Sequence, residues 1–265
     1  MSLTIAHLSD MHVGSVHFVP NLMNRAISEI NELQPDVLVA SGDFTTEGYR
    51  QEYKTAVAYL DRIRCQRKIY VPGNHDSRNV GYMHFEELLG NRFRVMRLQG
   101  ATILSVDSSE PDQNDGRVGR EWYPWILDNF SSGDPEVRIF VMHHHLLPLP
   151  GTGRERSVVF DAGDLLEVLI RAKVNLVLTG HKHVPWVWRL ENMYVATAGT
   201  VSSLRLRGHT KPCYNVVKIA DREVRIVRKF PFGPENVIAH FSLETGAQYQ
   251  REIESLLTEQ ELLGD

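Results

Sequence analysis

The sequence is short of several things, and each shortage excludes something. Only two of its 265 residues are cysteine, Cys65 and Cys213. That is too few for a disulfide scaffold or a thiolate-rich zinc site. No stretch approaches the roughly 18 consecutive apolar residues a membrane helix needs, so no membrane partner is expected. Met1 to Ser9 lacks the basic start and long apolar run of a signal peptide and reads as the first strand of a fold. The resulting expectation is a cytoplasmic protein. Surplus positive charge is missing too: 29 Lys and Arg stand against 33 Asp and Glu, a net charge of -4. A dedicated nucleic-acid surface would show a basic excess, and none is evident. No linker and no internal repeat interrupts the chain. What the sequence has in plenty is histidine, with 12 copies.

Hydrophobic periodicity gives an α/β order. Leu3–Leu8, Asp36–Ala40 and Lys68–Val71 read as strands. Between them, Phe18–Leu33 and Glu52–Ile63 carry apolar residues at helical spacing, and Met83–Leu89 suggests a further helix. Short loops joining such units imply a parallel sheet with right-handed crossovers. Phe93–Leu98 and Ala101–Val106 flank Gln99-Gly100 as a hairpin, and Ser108–Gly119 is a polar loop. Trp122–Phe130 and Leu165–Arg171 are helical, Val137–Met142 and Val174–Leu178 extended. Pro185–Leu190, Met193–Ala198, Tyr214–Ile219 and Val224–Phe230 are strand-like, so this half predicts a mixed or antiparallel sheet. One domain over residues 1–241, with two sheets and helices outside, is the economical arrangement. Residues 242–265 form a separate feature: Tyr249, Ile253, Leu256 and Leu257 mark an amphipathic helix. It either docks on its own domain or mediates a homodimer or higher oligomer.

The chemistry sits where strands end. The first strand ends in His7-Leu8-Ser9-Asp10-Met11-His12, the second in Ser41-Gly42-Asp43 and the third in Gly73-Asn74-His75-Asp76. Later strands end in His143-His144-His145 and in Gly180-His181-Lys182-His183. In open α/β sheets, ligands bind beyond the carboxyl ends of the strands. Glycines 42, 73 and 180 permit tight turns there. The i, i+2 spacing of Asp10 with His12, and of His181 with His183, predicts two side chains on one side of extended chain. Carboxylate, amide oxygen and imidazole together suit zinc, iron or manganese. Asp10, His12, Asp43, Asn74, His143, His181 and His183 are more donors than one tetrahedral ion needs. They suit two divalent ions sharing one carboxylate, a recurring solution for phosphoester hydrolysis.

This ordered series, D-x-H, G-D, G-N-H-D, H-H and G-H-x-H, resembles the calcineurin-like metallophosphoesterase superfamily over about Thr4 to Ile219. Its Gly73–Arg78 form is most similar to the class III cyclic-nucleotide phosphodiesterase branch, which includes glycerophosphodiesterases. The resemblance implies a four-layer α/β/β/α sandwich of two mixed sheets. It implies Asp10, His12, Asp43 and His183 around a first metal, and Asp43, Asn74, His143 and His181 around a second. It places His75 at the substrate phosphate or leaving group, with Asn74 and Arg78 also facing substrate, and His144 behind the ligands or facing substrate. Asp76 would either orient His75 or close its turn. Arg154, Arg156, Arg205 and Arg207 fall in stretches similar to the family's substrate-selecting rim loops. The implied activity is hydrolysis of a small-molecule phosphodiester, of cyclic-nucleotide or glycerophosphodiester type, by metal-activated water. A phosphomonoesterase, a nuclease and a non-catalytic scaffold are the alternatives. The complete set of ligand positions favours an enzyme over a scaffold.

Overall fold

The computed structural model describes residues 2–133, 135, 137–152, 158–207 and 209–243. The helix expected within residues 242–265 lies almost wholly outside them, as do Arg154 and Arg156. Two six-stranded sheets form the middle of the molecule. The first contains β1 (Ser2–Leu8), β2 (Val37–Ala40) and β3 (Lys68–Tyr70), parallel to one another. Helices α1 (Pro20–Leu33) and α2 (Arg50–Asp61) connect them, and α3 (Gly81–Leu88) follows. The second sheet contains β4 (Arg94–Leu98), β5 (Ala101–Ser105), β6 (Val137–Val141), β7 (Leu176–Thr179), β8 (Trp186–Leu190) and β9 (Met193–Thr197), in the order β4-β5-β6-β7-β9-β8. Helices α4 (Tyr123–Ser131) and α5 (Ala162–Arg171) flank β6 in the chain.

The last strands do not extend the second sheet. β10 (Tyr214–Ala220) returns to pair antiparallel with β1, and β11 (Glu223–Lys229) and β12 (Glu235–Ser242) continue outward from it. Periodicity does not announce β12. A bulge between Ile226 and Val227 shifts its register. Ile238 and Ala239 are therefore both buried although adjacent, which breaks the two-residue alternation of a half-buried strand.

Alternation is clear in β1. Leu3 and Ile5 face the second sheet and join a core shared with Ile103, Ile139 and Leu178. Ala6 and Leu8 point the other way, into a core with Met23, Ile27 and Ile30 of α1 and Tyr53 and Leu60 of α2. A third core packs Phe140 and Val177 of the second sheet against Ile126 and Phe130 of α4 and Leu165 and Leu169 of α5. Three apolar layers between four structural layers make the α/β/β/α sandwich expected from the sequence. Full burial of a side chain such as Leu8 or Phe140 stabilises by about 1.5–3 kcal/mol. These cores therefore hold the strand ends in place for the loops beyond them. Among the described residues, no helix is long and apolar enough to cross a membrane.

Candidate metal centre

β1, β2 and β3 run parallel, as do β6 and β7, so five carboxyl ends meet along one edge of the sandwich. Each chain must turn sharply there. Asp10, His12, Asp43, His181 and His183 have φ of 55°, 52°, 53°, 79° and 58°. Left-handed conformations cost a non-glycine residue on the order of 1 kcal/mol or more, and such strain collects at functional sites. These values correct the expectation of extended chain at Asp10–His12 and His181–His183. The pairs also behave differently: Asp10 and His12 join one donor group, whereas His181 and His183 divide between two. Close approach of the loops requires glycine at 42, 73 and 180. A Cβ on Gly42, whose φ is 97°, would lie 2.5 Å from His143 Nδ1, and one on Gly73 would lie 2.2 Å from Asp43 Oδ1.

The donor atoms converge in two clusters joined by one carboxylate, and His12, Asp43 and His75 form a third group that overlaps both. In the first, His12 Nε2 and His183 Nε2 are 2.8 Å apart, and Asp10 Oδ1 lies 3.3 Å from His183 Nε2 and 3.8 Å from His12 Nε2. In the second, His143 Nε2 lies 3.2 Å from His181 Nδ1, which is 3.0 Å from Asn74 Oδ1. Asp43 Oδ2 lies between them, 3.6 Å from His12 Nε2 and 3.3 Å from His143 Nε2. Its other oxygen accepts the backbone N–H of His75 at 2.9 Å.

Neighbouring carbonyls set the imidazole tautomers. His143 Nδ1 donates to the Ser41 carbonyl at 2.7 Å, and His183 Nδ1 donates to the Arg205 carbonyl. In the neutral rings, Nε2 is then left with a lone pair aimed into a cluster. A ring whose far nitrogen is held by a carbonyl is the usual support of a metal-ligating histidine. Lone pairs facing one another at about 3 Å repel unless positive charge lies between them. The electrostatics show that demand. Burial alone would lower the His143 pKa, but Asp43 pushes it up to about 9. Burial would likewise raise Asp43, yet the imidazoles of His143 and His75 hold it well below the usual carboxylate range. A cation can replace that proton, and the donor set, all nitrogen and oxygen, fits a first-row divalent ion.

The remaining site residues separate by position. His75 lines the cleft above the donors, with its ring edge-on to His12 at 4.8 Å. Its Nδ1 donates to the Thr46 carbonyl at 2.6 Å, which leaves Nε2 for a ligand. Asp76 does not orient that ring. Its oxygens accept from Phe44 N–H at 3.1 Å, Thr45 N–H at 2.9 Å, Thr45 Oγ1 at 2.8 Å and Gly73 N–H at 2.9 Å. Of its two expected roles, the bonding is that of the turn closure. Burial, and after it the charge of Asp43, push its carboxyl up to about 7. Arg78 reaches the cleft, as expected, and pairs with Glu47 at 3.2 Å. His144 is fully buried. Its Nδ1 contacts Ser108 Oγ at 2.9 Å and its Nε2 the Asn114 carbonyl at 3.3 Å, so it braces the site from behind rather than facing substrate.

Asn114 and Lys182 line the cleft without having been singled out from the sequence. Asn114 Oδ1 accepts from Asn74 Nδ2 at 3.3 Å and from an Arg78 guanidinium N–H at 3.0 Å. It comes from the polar loop Ser108–Gly119, which has no periodic signal. Lys182 had one usable signal, its place between two candidate ligands.

Known proteins resemble this chain. A probable cyclic nucleotide phosphodiesterase from a Synechococcus species is 26% identical over 197 residues, covering 71% of this chain and 76% of its own. The glycerophosphodiester phosphodiesterase GpdQ of Enterobacter lignolyticus is 29% identical over 200 residues, covering 68% and 71%. The structure of PhoD superposes with a TM-score of 0.68 at 12% identity, over 96% of this chain and 73% of that one, which speaks to the fold alone. The family model for calcineurin-like phosphoesterases matches residues 3–185 and so takes in every strand-end donor described above. With that match and this edge of histidines and aspartates, the chain belongs to the calcineurin-like phosphoesterases, a family of metal-dependent phosphoric ester hydrolases.

Proposed function

We propose that the chain is a dinuclear phosphodiesterase acting on small molecules of the cyclic-nucleotide or glycerophosphodiester type. The observation that carries this reading is Asp43 Oδ2, placed between two clusters of carbonyl-oriented imidazoles. The names of the relatives support the diester class. Asp10, His12, Asp43 and His183 would hold one ion, and Asp43, Asn74, His143 and His181 the other. Such ions, when bound, supply an activated water and neutralise charge on the phosphoryl oxygens. The protein's own part is positional. The Ser41 and Arg205 carbonyls fix two ligand rings, so little reorganisation accompanies reaction. His75 Nε2 faces the cleft while Thr46 holds Nδ1, so the protonated ring can donate to the leaving oxygen.

Elemental analysis of protein incubated with manganese is expected to find about two ions per chain. Fewer than one, with zinc as well, sinks the dinuclear reading. Chelator should abolish hydrolysis of bis(p-nitrophenyl) phosphate and manganese should restore it; chelator-resistant turnover contradicts the mechanism. His75→Ala is expected to lower kcat by about 10²-fold with metal content retained. Unchanged kcat removes His75 from the chemistry.

A further inference from the structure

The cleft above the donor clusters encloses about 530 Å3. Its walls hold Arg78, Lys182, Arg205 and Arg207, against Asp115 as the one acid outside the donor groups. Arg78 is already satisfied by Glu47 and Asn114. Lys182, Arg205 and Arg207 have no ion-pair partner among the described residues. Lys182 and Arg207 line the same cleft as Arg205, with Asp115 as their acidic neighbour there.

Arg205 and Arg207 are exposed and Lys182 is half-buried, but the backbone that carries them is anchored. Lys182 lies in the tight turn between His181 and His183, so the ligand geometry fixes its backbone. The segment carrying Arg205 and Arg207 is tied to the centre three times. His183 Nδ1 donates to the Arg205 carbonyl, Ser202 Oγ donates to the Met11 carbonyl at 3.1 Å, and Thr200 Oγ1 donates to the Asp10 carbonyl at 2.6 Å. Like charges gathered at a cleft wall are unfavourable by themselves, but they focus potential on an anion. A scissile diester carries a single charge and would face the metal ions. It leaves nothing to neutralise the wall.

We infer that Lys182 and Arg207, with Arg205 at the rim, bind a second phosphate group, so that the substrate carries a phosphate besides the diester that is cleaved. This rests on the phosphodiesterase reading above and narrows its substrate class. Charge-assisted hydrogen bonds from Lys and Arg to phosphate are of the strong kind.

The test compares two diesters releasing the same phenol: thymidine 5′-(p-nitrophenyl phosphate), and the same compound with a 3′-phosphate. Manganese-loaded wild-type protein should favour the second by roughly 30-fold in kcat/KM, the effect of one or two such hydrogen bonds. In Lys182→Ala/Arg207→Ala that ratio should fall to about one; a merely structural defect would lower both rates and leave the ratio standing. A wild-type ratio near one, or a ratio that survives the double substitution, overturns the inference. If neither diester is cleaved, the phosphodiesterase reading fails, and calorimetry still decides the subsite. Manganese-loaded wild type should then bind thymidine 3′,5′-bisphosphate at least about 10-fold tighter than thymidine 5′-monophosphate, and the double variant should bind them alike. Equal binding by wild type overturns it.

Discussion

Asp43→Asn is expected to cut kcat/KM for an aryl phosphodiester by about 10³-fold or more and to lower bound manganese from about two ions to one or none. The substitution keeps the shape of the side chain. It also keeps an oxygen for the His75 N–H, which Asp43 Oδ1 accepts at 2.9 Å. What it removes is the charge on Oδ2, the atom 3.6 Å from His12 Nε2 and 3.3 Å from His143 Nε2. His143 and His75 hold this carboxyl ionised against burial, so the wild-type centre has a full negative charge there. A neutral amide cannot bridge two cations. A 10³-fold loss corresponds to about 4 kcal/mol of transition-state stabilisation, within reach of one charged ligand in a water-poor site. Elemental analysis beside steady-state kinetics checks both halves. A variant that keeps two ions and most of its kcat/KM shows that Asp43 does not bridge.

The second large effect is on stability. Asp76→Ala is expected to destabilise the fold by about 3–4 kcal/mol, lowering Tm by roughly 10 °C. The carboxylate gathers the backbone N–H groups of Phe44, Thr45 and Gly73 and the Thr45 hydroxyl. Alanine leaves these donors stranded, and a buried donor without a partner costs about 1–3 kcal/mol. Part of that loss is returned, because burial and Asp43 make the ionised carboxylate itself unfavourable, as its upward shift to about 7 shows. Differential scanning calorimetry distinguishes the two roles expected for Asp76. A residue that only tuned His75 would leave Tm within a few degrees of wild type.

Much of this was legible in the sequence, and the rest has physical reasons for being hidden. β1 reads clearly because Leu3 and Ile5 alternate with Ala6 and Leu8, and the donor runs stand directly after such strands. β12 does not read, because a bulge at Ile238, which has no partner in β11, buries Ile238 and Ala239 together. The groups that orient the imidazoles are backbone carbonyls of Ser41, Thr46 and Arg205, and every residue type has a carbonyl. No pattern of side chains can mark them. His144 shows the converse limit. It stands in a run of histidines, yet only the packing of Ser108 and Asn114 around it separates it from its neighbour His143. The i, i+2 argument at Asp10 and His12 picked two residues whose donor atoms do lie together, but through the wrong backbone, since both have positive φ.

The centre also straddles the seam between the two sheets, which share no strand pair among the described residues. At this edge the first leaf supplies Asp10, His12, Asp43 and Asn74, and the second supplies His143, His181 and His183. Ions held between them would rivet one leaf to the other. Occupancy at 100 times Kd adds about 2.7 kcal/mol to folding stability for each site. Metal supply would then set part of the folded chain's stability as well as its turnover.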